Sequence, residues 1–220
     1  EDTWADNPFF VGEVEPCING NVVSTGSYFG VDMTPLVDRL LGEQLSDGGW
    51  NCEVERGATV SSMETTINVL EGLLEYERAV GGEARVAEAR HRGEGYMLER
   101  RLFRRKSTGE VINPAWLQSS FPHWYLYDIL RALDYLRDAG VQPDERVSDA
   151  ITVVERQRDP AGPMGRRAGD RQGRRLAHRD RFHHGRDHPR GWRPAREVDR
   201  VGPGTNDVDT RTRWIRSAFS

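Results

Sequence analysis

Apolar and polar positions alternate along this chain with the period of a helix. Met63, Ile67, Leu70 and Leu74 fall at i, i+4, i+7 and i+11, which places them on one helical face. Ser61-Ser62-Met63-Glu64 reads as a capping box, the Ser61 hydroxyl and the Glu64 carboxylate closing the first turn, and Gly81-Gly82 ends the helix. A more polar helix is expected from 86 to about 105, with Val86, Ala89, Met97, Leu98 and Leu102 on its buried side, followed by a turn over 107–111. Pro122 reads as the start of another apolar helix, with Leu126, Ile129, Leu130, Leu133 and Leu136 on its core face and Gly140 as its stop. Asp144 reads as the cap of a helix carrying Val147, Ala150, Ile151 and Val154. Upstream, Asn19 to Phe29 is a small-residue segment with Val22, Val23, Tyr28 and Phe29, expected to be a helix that approaches its neighbour closely. Thr34-Pro35 then starts a helix through Leu36, Leu40 and Leu41 to Gln44, with Thr34 as its cap. The fold class expected is all-α.

The segments repeat. Residues 70–76 match 130–136 in character sixty positions on, and Val86-Ala87-Glu88-Ala89 matches Val147-Ser148-Asp149-Ala150 sixty-one positions on. Each unit is an apolar helix, a loop, a more polar helix and a glycine turn. The apolar members suit an inner ring and the polar members an outer one, since only outer helices keep a face in water. An open helical solenoid fits the same periodicity.

Gln44, Gly48 and Trp50 sit in one turn, Gln44-Leu45-Ser46-Asp47-Gly48-Gly49-Trp50. A planar amide stacked on the indole, with its polar groups capping two helix ends, would fix the angle between antiparallel helices. An ordinary helical hairpin with a buried tryptophan reads equally from those residues. The spacing Gln-x-x-x-Gly-x-Trp resembles the Gln–Trp motif of the squalene cyclase and protein prenyltransferase superfamily. That resemblance covers about residues 12–160 and implies a partial α/α toroid. It also implies an isoprenoid or other apolar ligand in a central cavity, with terpenoid-cyclase or prenyl-transfer chemistry. A non-catalytic toroid serving as a binding module or scaffold is the alternative.

Composition divides the chain further. Residues 1–18 form an aromatic and acidic arm in which Trp4, Phe9 and Phe10 would pack on the body, and 19–158 form the repeats. Residues 159–220 hold fifteen Arg and four His without apolar periodicity, so they cannot bury enough apolar surface to order themselves. A single deleted base near Gly162-Pro163-Met164-Gly165 would restore Gln157 with Gly162 and a Trp in a second such turn, so the tail is also expected to be out-of-frame translation. Glu1 in place of Met agrees with a fragment, and a toroid short of repeats would self-associate through exposed inner helices. A net charge of −4 argues against a nucleic-acid surface, and no apolar run is long enough for a membrane span. Two cysteines make no disulfide framework, which suits a reducing cytoplasmic setting.

Candidate chemistry, Cys17 and Cys52 included, gathers at one end of the inner helices, the ring mouth. Asp47, Glu53 and Asp128 are candidate catalytic acids, and Asn19, Trp50, Asn51, Thr66, Trp124 and Tyr125 candidate ligand-binding residues. Each also has an ordinary role available, in capping or in filling the core. The Asp-rich motifs of proton- or ionisation-initiated cyclases are missing, the nearest echo being Asp207-Val208-Asp209-Thr210 in the tail. The resemblance to prenyltransferases implies zinc held by Asp, Cys and His, which maps onto Glu15 and Cys17 with His123 as the third ligand. No residue pattern by itself demands zinc or magnesium, and lone cysteines are commonly buried as small apolar groups.

Overall fold

The computed structural model describes residues 12, 14–119, 123 and 125–158. The expectations for Trp4, Phe9, Phe10, Pro122, Trp124 and the segment 159–220 lie outside the described residues. Contacts divide the chain into two units, Glu1–Arg156 and Gln157–Ser220.

Six helices make up the described residues: α1 (Pro16–Tyr28), α2 (Thr34–Gly42), α3 (Met63–Val80), α4 (Ala84–Glu99), α5 (Ile129–Asp138) and α6 (Ser148–Arg158). Single 3-10 turns lie at Val54–Arg56 and Pro114–Leu117, and the only extended pairing described is an isolated bridge between Arg104 and Val111. No described helix is long and apolar enough to cross a membrane.

α3 lies at the centre. It buries Thr65, Thr66, Ile67, Asn68, Val69, Leu70, Gly72 and Leu73, nearly a full circumference, because neighbours pack on several sides. Against it lies α1, which starts at Pro16, three residues inside the expected arm, as proline suits a first helical turn. The two backbones touch where glycine meets glycine. A Cβ on Gly72 would press on the Gly20 carbonyl, and a Cβ on Gly20 would lie 2.8 Å from Val69 Cα. α5 is tied to α3 through Arg131, whose guanidinium donates to Glu71 at 2.8 and 2.6 Å and to Asn68 Oδ1 at 2.9 Å. Asn21 of α1 donates to the same Asn68 oxygen at 3.0 Å, so one amide joins three helices. α4 joins through Arg90, which pairs with Glu94 on its own helix and with Glu77 on α3, while Tyr135 of α5 donates to Glu94 at 2.8 Å. Buried charges are tolerated here because each one meets a partner.

Several boundaries differ from the sequence reading. α3 is capped by Ser62, which accepts from the Thr65 amide; Ser61 instead bonds to Asp47. α4 stops at Glu99, because Arg101 and Leu102 take left-handed backbone angles that turn Leu102 into the core. α5 begins only at Ile129, with Asp128 as its cap, which leaves Leu126 exposed outside the helix. Asp144 accepts from the Arg146 amide in a turn ahead of α6 instead of capping it. The Thr34 hydroxyl bonds to Tyr76 across the core at 3.1 Å, and Met33 takes the cap position.

Candidate functional site

The Gln–Trp turn leads from α2 to the loop before α3. Trp50 is fully buried, and its indole N–H donates to the Leu40 carbonyl at the end of α2, at 2.7 Å. Its own amide donates to the Thr66 hydroxyl at 3.1 Å, which fastens the turn to the first turns of α3. The Gln44 amide donates to Gly48 O at 2.6 Å and to Ala89 O on α4 at 2.7 Å, and Arg92 donates to its oxygen. Gln44 therefore ties the turn to α4, a neighbour that the sequence reading left out; the indole alone caps a helix end. Gly48 is needed twice over, with φ at +100° and the Arg92 carbonyl 2.6 Å from where a Cβ would sit.

The loop that follows is equally well fastened. Asn51 donates to Val60 O at 2.7 Å and accepts from the Glu53 amide at 2.9 Å, closing residues 51–60 on themselves. This arrangement carries Cys52 to the start of α1. The Cys52 and Cys17 sulfurs lie 3.0 Å apart, far beyond a disulfide bond of about 2.05 Å, and both are free thiols. Glu15 Oε2 lies 3.7 Å from Cys17 Sγ, and the ligand atoms of Glu15, Cys17 and Cys52 all fall within 4.8 Å of one another. Thr65 Oγ1 donates to Cys52 Sγ at 3.4 Å. The cysteines are half-buried and Glu15 is exposed, so the cluster opens to solvent. Sharing a proton with Cys17 pulls the Cys52 thiol down to about 6, and the same hydrogen bond, with burial, pushes Cys17 well above the ordinary thiol range.

The zinc that the resemblance implies asks for thiolate and carboxylate donors brought together, and Glu15, Cys17 and Cys52 fit that requirement. His123, the third ligand expected from sequence, is not part of the group. Its Nδ1 lies 3.3 Å from Asp128 Oδ2, and it lines a different hollow with Ser24, Glu71 and Arg131. Cys52 stands with Glu15 and Cys17 where His123 was expected; the sequence placed it with Cys17 at the ring mouth but did not mark it as a ligand.

The remaining candidates are brought together only in part. Asp47 accepts from the Ser61 amide at 3.0 Å and from its hydroxyl, with Arg100 at 3.6 Å, as a clamp on the loop. Glu53 forms an exposed pair with Arg56 at 2.8 Å. Asp128 is buried and accepts from the Arg131 amide at 2.8 Å. Asn19, Trp50 and Thr66 are interior groups. Tyr125 borders a cavity.

Two hollows matter for binding. The larger, about 540 Å³, lies beside the start of α3 and is walled by Ser62, Met63, Tyr96, Arg100, Lys106 and Trp116. Two of its cations are paired, Arg100 with Asp47 and over the Tyr96 ring at 3.8 Å, Lys106 with Glu99 at 2.6 Å, and Arg105 lines it as well. The second, about 290 Å³, runs along α1 past Ile18, Val22, Thr25 and Phe29 to Val31, with Tyr125 opposite. Apart from Asn21 and Thr25 its walls are apolar, and Ile18 is the neighbour of Cys17 in sequence.

Comparison with family models, with curated proteins and with solved structures finds no match for this chain.

Proposed function

We infer that residues 16–158 are consecutive hairpins of an α/α toroid, with α1, α3 and α5 inside and α2, α4 and α6 outside, and that the protein binds an isoprenoid or similar apolar small molecule. The ring reading is supported by side-by-side ties from α1 to α3 and from α3 to α5, made through Gly20, Asn68, Gly72 and Arg131. The Glu71–Arg131 pair joins positions sixty residues apart, which is the spacing of the sequence repeat. The observation that carries the ligand reading is the groove along α1. Its volume, about 290 Å³, is small for a protein partner and near the lower end of small-molecule sites, and its walls are mainly hydrocarbon and aromatic. Phe29 and Tyr125 stay 74 % and 53 % exposed at its rim, apolar area that a ligand would cover.

The test is titration of the chain with farnesol, farnesyl diphosphate and squalene, followed by intrinsic fluorescence and calorimetry. Saturable binding is expected for at least one, with Thr25→Arg weakening it about tenfold or more, near 1.4 kcal/mol. Thr25 is exposed on α1, so that variant should keep the helical circular dichroism of the parent. Absence of saturable binding, or binding indifferent to Thr25→Arg, overturns the reading. A concentration-dependent dimer abolished by Thr25→Arg would assign the groove to a second copy instead.

A further inference from the structure

We propose that Glu15, Cys17 and Cys52 form a binding site for a thiophilic divalent cation, zinc above all, with two sulfurs and one carboxylate oxygen as ligands. Three observations converge on it. The first is proximity without local sequence cause: Cys17 and Cys52 are thirty-five residues apart, yet their sulfurs lie 3.0 Å from each other with a carboxylate alongside. The second is rigidity. Cys17 sits in the first turn of α1, and Cys52 is held by the Asn51 and Thr65 hydrogen bonds on either side of it. The third is access, since Glu15 is exposed and the thiols are half-buried.

The donor set selects the ion. Paired thiolates favour zinc or its softer congeners over magnesium and calcium, which take all-oxygen shells. A tetrahedral zinc with Zn–S near 2.3 Å holds its two sulfurs about 3.8 Å apart. The pair therefore opens by less than an ångström, within reach of side-chain rotation alone. Binding releases the thiol protons, so affinity rises with pH. Three protein ligands leave a fourth position for water or another ligand, the arrangement of reactive zinc as opposed to purely structural zinc. This site stands apart from the apolar-ligand reading, because its evidence is the sulfur and carboxylate cluster and not the groove.

The experiment needs no apolar ligand, so its failure and that of the groove are told apart. The reduced chain is loaded with Zn²⁺, dialysed, and assayed by elemental analysis; Co²⁺ is then substituted and its absorption recorded. About one ion per chain is expected, with thiolate-to-cobalt charge transfer and the visible bands of tetrahedral coordination. X-ray absorption at the zinc edge should give two sulfur neighbours, a readout that requires no variant. Cys17→Ser and Cys52→Ser should each weaken binding at least about tenfold, and His123→Ala should leave it unchanged. Circular dichroism checks that each variant is folded. A reduced chain that takes up no metal overturns the proposal. So does a single sulfur neighbour, or binding that survives Cys52→Ser and fails in His123→Ala. A chain recovered under reducing conditions with its two thiols joined as a disulfide would assign the pair to redox chemistry instead.

Discussion

Replacing glycine by alanine at two helical positions should give opposite signs, and the difference tests the packing on which the ring reading rests. In α3, a methyl on Gly72 would lie 3.0 Å from the Gly20 carbonyl carbon and 3.1 Å from Gly20 Cα, with the carbonyl oxygen closer still. These atoms are main chain and cannot rotate away, so α1 must move. Overpacking of that kind costs about 1–3 kcal/mol, toward the upper end where backbone shifts. Better helix propensity returns about 1 kcal/mol. Gly72→Ala should therefore destabilise by about 1–2 kcal/mol. Gly95 in α4 is the control, because nothing lies within 4 Å of its added Cβ. Gly95→Ala should stabilise by about 0.5–1 kcal/mol. Denaturant unfolding followed by circular dichroism, with the slope checked for constancy, measures both. If Gly72→Ala proves as stabilising as Gly95→Ala, α1 and α3 are not in backbone contact, and the side-by-side arrangement of inner helices fails with it.

Two further expectations follow from buried polar groups. Trp50→Phe removes the indole N–H from the Leu40 carbonyl in a fully buried site, and the lost bond with the lost ring volume should cost about 2–4 kcal/mol in the same unfolding assay; a loss below about 0.5 kcal/mol would show that the cap is not needed. Burial pushes the Tyr96 hydroxyl up to about 12 from 10.0, so between those values the folded chain keeps a proton that the unfolded chain has released. Stability should accordingly fall as pH rises from about 10 toward 12, and Tyr96→Phe should flatten that slope. Stability that is level or rising over this interval would contradict the assignment.

The helices were legible because their apolar spacing is local. Val86, Ala89, Met97 and Leu98 in α4, and Val147, Ala150, Ile151 and Val154 in or beside α6, are buried as their periodicity requires, and His91 on the polar face of α4 is exposed. What periodicity could not reveal is which charged residues go inside. Arg90, Glu94 and Arg131 count as polar in any pattern, yet each is buried: Arg90 and Arg131 because Glu77 and Glu71 on α3 neutralise them, and Glu94 because it pairs with Arg90 on its own helix and accepts from Tyr135 of α5. The ends of helices were hard for a related reason. Ser61 and Ser62 carry the same hydroxyl, and only the position of Asp47 decides which one caps α3. The candidate site shows the same limit. Glu15-x-Cys17 was visible as a spacing, but its third member depended on where the loop after Trp50 folds.

That loop gives the Gln–Trp turn a role beyond joining two helices. Trp50 is held from three directions: by Leu40 at the end of α2, by Thr66 in α3, and by the glycine-lined contact with α4 near Gly93. Gln44 adds a further tie to α4 through Ala89. A chain so fixed at residue 50 has little freedom left at residue 52, and Asn51 removes more by closing the loop onto Val60. Cys52 is thus delivered beside Cys17 by a scaffold whose hydrogen bonds lie almost wholly outside the cluster. A cation site needs its ligands preorganised if binding is not to be offset by the entropy of gathering them. The buried indole contributes to that need by fixing the chain two residues before Cys52, while Asn51 and Thr65 hold the loop itself.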